Sequence, residues 1–125
     1  MKKTVFILLI IVIFLSCDIA PEVVITYEPP PSPIYVEIEQ KEIIIGAGDT
    51  YTFSANVYNA NNDSVMWSVS CDNDGDKGII DNSGFYAAAD ETTMSQNSIT
   101  ATVTATSIEN LEKSDSIDIT VTKEK

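Results

Sequence analysis

The chain has 125 residues and a net charge of −12, with nineteen Asp and Glu against seven lysines and neither arginine nor histidine. A surface this acidic repels phosphate backbones, which excludes nucleic acid as a partner. With no histidine for general-base work and no arginine to clamp an oxyanion or phosphate, the composition also points away from catalysis.

Lys2 and Lys3 precede an unbroken apolar run over residues 5–15, which ends abruptly at Ser16, Cys17 and Asp18. A charged start, a short apolar core and a small residue before a cysteine describe a secretory signal peptide. The end Phe14-Leu15-Ser16-Cys17 resembles a bacterial lipoprotein lipobox, with Phe14 where Leu, Val or Ile is usual. The resemblance implies cleavage before Cys17, lipid on its thiol, and an exported protein held on the inner or outer membrane by that lipid, facing periplasm or cell surface. An ordinary cleaved signal and an uncleaved anchor are the competing readings. Against the anchor, an apolar helix of this length rises only ~16 Å, about half a hydrocarbon core.

Three regions follow: a signal peptide over 1–16, a lipidated cysteine and tether over 17–33, and one domain over 34–125. Removing residues 1–16 takes away two lysines and no acid, so the charge becomes more negative still. If Cys17 carries lipid, Cys71 has no partner in the chain and the fold cannot rest on a disulfide. In the tether, Pro29-Pro30-Pro31-Ser32-Pro33 favours polyproline II, a stiff extended spacer. Val23-Val24-Ile25-Thr26-Tyr27 stands out within it, with strong β character and no core of its own.

From Ile34 onward the chain shows short segments of period-2 alternation between polar turns. Ile34, Val36 and Ile38 alternate with Tyr35, Glu37 and Glu39, and Ile43-Ile44-Ile45 follows. Tyr51, Phe53, Ala55 and Val57 face one way as a single strand, with Thr52, Ser54 and Asn56 opposite. Val65, Trp67 and Val69 form the next apolar row. Ile79-Ile80 and Phe85-Tyr86 flank Asp81-Asn82-Ser83-Gly84, a hairpin turn with glycine available for positive φ. Ile99, Ala101, Val103 and Ala105 alternate with threonines, and Ile117, Ile119 and Val121 close the series. About seven strands, each with one apolar face, bury those faces as a β-sandwich with Trp67 in its core.

The stretch from Trp67-Ser68-Val69 through Gly78-Ile79-Ile80-Asp81-Asn82-Ser83-Gly84-Phe85-Tyr86 to Ile99-Thr100-Ala101-Thr102-Val103 and Ile117-Asp118-Ile119-Thr120-Val121 resembles a bacterial Ig-like domain of group 2 type. Members recur in cell-surface proteins, including invasin- and intimin-like adhesins. The resemblance implies an Ig-like sandwich and no catalytic residues, and it assigns no ligand.

Candidate sites are few. Asp72, Asp74 and Asp76 can converge on a calcium ion, with Asp81 as a fourth ligand. The EF-hand register fails, since Lys77 stands where the loop needs glycine and Ser83 where it needs glutamate. A plain solvated loop is the reading preferred, with no cofactor required. A glycosidase needs a cleft that so small a sandwich lacks. The expected function is a non-catalytic, lipid-anchored module for protein or glycan interaction, monomeric as a domain. The alternative is a structural spacer or accessory subunit of an envelope assembly. An interaction module should expose an aromatic or apolar patch, for which Tyr35, Tyr58 and Met66 and the loops over 70–77 and 89–97 are the candidates; a spacer should show none.

Overall fold

The computed structural model describes residues 23–73 and 76–123. The chain divides into two units, Met1–Pro31 and Ser32–Lys125. In the first, residues 23–31 form no strand, and Val23, Val24, Ile25 and Tyr27 are exposed. Cys17 and the signal peptide lie outside the described residues.

The second unit is all-β, with no helix among the described residues. Its strands are β1 (Tyr35–Ile38), β2 (Ile43–Gly46), β3 (Thr50–Thr52), β4 (Ala55–Tyr58), β5 (Val65–Cys71), β6 (Ile79–Ile80), β7 (Phe85–Ala87), β8 (Ser98–Ser107) and β9 (Ser114–Thr122). One sheet runs β2-β9-β8-β5, a second runs β3-β7-β6, and β1 pairs with β4. All ladders are antiparallel except β2 with β9. The arrangement is β-sandwich-like, because β1 packs its inner face on β8 and β9.

Alternation explains which residues meet there. Val36 and Ile38 point inward from β1, Ile45 from β2, and Ile99, Ala101, Val103 and Ala105 from β8. Ile119 and Val121 of β9 are wholly buried, as is Tyr86 of β7. Each fully buried aliphatic side chain contributes ~1.5–3 kcal/mol. Trp67 is 8 % exposed and lies 6.1 Å, centroid to centroid, from Phe53. Phe53 meets Tyr86 edge-on at 6.0 Å, so three aromatic rings stand in one row through the core.

The stretch expected as one strand over 51–57 keeps its alternation but changes partners midway. Thr50–Thr52 pairs with β7 and Ala55–Tyr58 with β1. Between them Phe53 N–H donates to Gly84 O at 2.9 Å and Ser54 O accepts from Glu39 N–H at 3.1 Å. The two segments before it go to different sheets: β1 joins β4, and β2 joins β9 at the edge of the four-stranded sheet.

The turn over 81–84 forms as its residues demand. Asp81 Oδ1 accepts from Ser83 N–H at 2.8 Å, Ser83 Oγ–H at 2.6 Å and Phe85 N–H at 3.1 Å. Gly84 takes φ +82°, and a Cβ there would lie 2.5 Å from Phe53 O and 3.2 Å from the Trp67 indole. Glycine is therefore required twice over, by backbone and by space.

Candidate functional site

Strand direction gathers the loops at two ends. β5, β7 and β9 finish at one end, and β8 starts there, so the described residues of the connections over 72–78 and 88–97 lie together. Ser70 and Cys71, expected in the first of these loops, belong instead to β5, where they pair with Thr102 and Ala101. Cys71 is a free, half-buried thiol whose Sγ–H donates to Asn73 O at 3.0 Å.

Asp76 joins the two loops. It is 1 % exposed, and its carboxylate accepts from Ser95 N–H at 3.0 Å, from Ser95 Oγ–H, and from Asn73 Nδ2–H at 3.2 Å. A buried carboxylate is tolerable only when its lone pairs are filled, and protein donors fill these. Met94, 5 % exposed, pins the second loop into the core, and Lys123 Nζ–H donates to Met94 O at 3.0 Å. Of the calcium candidates, Asp72 is exposed, Asp74 lies outside the described residues, and Asp81 serves its own turn. Among the described residues no group of three or more carboxylate or cysteine side chains converges as a metal site. The hydrogen bonds from Ser83 hold the Asp81 carboxyl below its ordinary value, and those from Thr92 do the same for Asp90.

The outer faces of the two layers differ in chemistry. On the β5-β8-β9 side, Met66 is 48 % exposed but stands beside a lawn of hydroxyls. Thr102 Oγ1–H donates to Asp118 at 2.8 Å and Thr104 bonds Ser116 at 2.9 Å. On the β1-β4 face, Tyr35 opposes Tyr58 in register. Their rings stack at 4.4 Å with planes 13° apart, and Tyr35 is 49 % exposed. Tyr58 Oη–H donates to Glu37 at 3.3 Å, and Asn56 Nδ2–H donates to Glu39 at 3.1 Å. Desolvation foremost, and the Glu37 carboxylate beside it, raise the Tyr58 phenol above its ordinary value. Tyr58 and Met66 therefore project from opposite layers and form no common patch. The pairing of Tyr35 with Tyr58 depends on a register between residues 23 positions apart, which alternation alone does not reveal.

An open groove of about 640 Å³ runs beside β2 and β9, lined by Lys41, Glu42, Ile44, Asp115 and Asp118 among others. Asp115 is committed to structure there, since its Oδ2 accepts from Ile38 N–H at 2.8 Å. No protein-family model matches the chain, and no curated protein matches it in sequence.

Proposed function

We propose that the chain is an exported bacterial lipoprotein whose Ig-like β-sandwich serves as a non-catalytic interaction module at the cell envelope. The strand order supports the Ig-like assignment. Taken through the switch at Phe53–Ser54, β1, β3–β4, β7 and β6 follow the order of the A, B, E and D strands of an Ig sandwich. β9, β8 and β5 then take the places of G, F and C, with Trp67 on the strand that carries the central tryptophan. Cys17 as the lipid site rests on the residues before it, and the non-enzyme reading rests on the lack of histidine and arginine.

The observation that carries the binding reading over a mere spacer is the Tyr35–Tyr58 stack, with Tyr35 exposed and Tyr58 half-buried, set among hydrogen-bonding carboxylates and an amide. Aromatic side chains gain most from burial, and an exposed ring offers that gain to a partner. The test is capture from envelope extracts and whole cells by the anchored protein, with each loop over 72–78 and 88–97 replaced in turn by a short Gly/Ser turn, and with Tyr35→Ala and Tyr58→Ala. Loss of capture in one of these variants supports the module; a wild-type protein that captures nothing supports the spacer. Intact-mass analysis should find a chain beginning at acylated Cys17, and an unmodified Cys17 in membrane-extracted protein would overturn the lipid anchor.

A further inference from the structure

We propose that the outer face of β1 and β4 receives an arginine side chain from a basic segment of a partner protein, its guanidinium lying on the Tyr35–Tyr58 pair and pairing with the Glu37 carboxylate. This rests on the interaction-module reading and names the partner's chemistry. Three observations bring it to this face. First, the aromatic pair is pre-stacked, with Tyr35 exposed and Tyr58 half-buried behind it, so the Tyr35 ring surface is available without rearrangement. The Tyr58 hydroxyl is tied to Glu37 Oε2, which fixes one edge of the pair beside a carboxylate. A cation over a tyrosine face is attracted by the ring quadrupole, and more strongly where a carboxylate stands at the rim.

Second, the charge is complementary to a cation. Glu37 and Glu39 are both exposed on this face, in a chain of net charge −12. A cation is already drawn there: Lys41 Nζ lies 3.8 Å from Glu37 Oε1. That contact is loose, between side chains 77 % and 48 % exposed, and an exposed pair of this kind contributes little and yields readily to a better donor. Third, the geometry favours arginine over lysine. A planar guanidinium can lie parallel to a ring while presenting two N–H groups to a carboxylate, whereas an ammonium is a hydrated point charge. The chain contains no arginine, so nothing within it can fill the place in that way. A saccharide also stacks on tyrosine, but it draws no gain from the acidic charge, which makes it the alternative to be tested.

The probes are a synthetic Arg/Gly/Ser peptide, its Lys/Gly/Ser counterpart and chitohexaose, titrated into the full chain in detergent with ring-proton NMR of the tyrosines as readout. The arginine peptide should bind about tenfold tighter than the lysine peptide and shift the Tyr35 and Tyr58 resonances. Glu37→Gln and Tyr35→Ser, both at exposed positions, should each weaken it about tenfold, while Met66→Ala changes nothing. Melting curves on each variant separate lost binding from lost folding. Equal binding of both peptides, indifferent to Glu37→Gln and Tyr35→Ser, would reduce the effect to diffuse charge and overturn the proposal. Chitohexaose binding lost in Tyr35→Ser would assign the face to saccharide instead. Absence of binding by any probe would also sink it. If these two variants leave capture from envelope extracts intact, this proposal falls while the module reading stands; if the wild-type chain captures nothing from extracts, the module reading falls and the proposal with it, even where the peptide binds.

Discussion

Asp76→Ala should destabilise the domain by about 3 kcal/mol, although Asp76 sits in a stretch that looks from its composition like an ordinary acidic loop. The magnitude follows from what the carboxylate holds. It accepts three hydrogen bonds, two from Ser95 and one from Asn73, and is 1 % exposed. Bonds to an ionised acceptor reach ~1.5–3 kcal/mol each, but Ser95 is itself exposed and its donors recover water when the carboxylate is gone. A net loss of about 1 kcal/mol per bond is therefore the appropriate figure. In a domain of this size that loss lowers the melting temperature by roughly 12–24 °C. Asp72→Ala, at an exposed position in the same loop, should stay within about 0.5 kcal/mol of wild type. Urea unfolding followed by tryptophan fluorescence measures both. The double variant Asp76→Ala/Ser95→Ala should show a coupling of roughly 1 kcal/mol, because the two side chains share a bond. Equal small effects of Asp76→Ala and Asp72→Ala would refute the claim that Asp76 clasps the two loops.

Calcium and chelator should give the same melting curve, since protein donors occupy Asp76 and Asp81; a calcium-dependent rise abolished by Asp72→Asn would prove the contrary. Gly84→Ala should cost more than ~1 kcal/mol and broaden or shift the Trp67 emission, because the new Cβ meets Phe53 O and the indole at a positive φ. Trp67→Ala should cost ~3–5 kcal/mol, and red-shifted, readily quenched emission from the folded wild type would count against its burial. Burial above all, with Cys71 adding to it, pushes the Tyr86 phenol up from 10.0 to about 12. The folded state holds this proton more tightly than the unfolded state. The stabilisation is therefore complete below pH 10 and is lost as pH rises from 10 through 12, by on the order of 2 kcal/mol. Tyr86→Phe should remove that alkaline slope while costing about 1 kcal/mol at neutral pH for the lost bond to Lys77 O; an unchanged slope in the variant would show that another group causes it.

In the segments that alternate, period-2 spacing was enough to tell which side faces the core, whereas the unbroken runs Ile43-Ile44-Ile45 and Ile79-Ile80 did not reveal that Ile44 and Ile79 stand exposed. Val36, Ile38, Phe53, Trp67, Val103 and Ile119 are buried for that reason, and Asp81-Asn82-Ser83-Gly84 turns where its residue types require. Both properties are local: a side chain's face is set by its place along its own strand, and a turn by four residues. The choice of ladder partner is not local. Nothing in Ile43-Ile44-Ile45 announces a parallel match with β9, and nothing in residues 51–57 announces that the partner changes at Phe53–Ser54. The same holds for the contacts that shape the candidate surfaces. Asp115 reaches Ile38 across 77 positions, Asp76 reaches Ser95 across 19, and Tyr35 meets Tyr58 only because β1 and β4 adopt one register. An acidic residue in a polar loop has the same sequence signature whether it faces water or a buried donor. Only the packing of two distant segments against a shared core decides which, because the desolvation that makes such a bond matter exists only once both segments are in place.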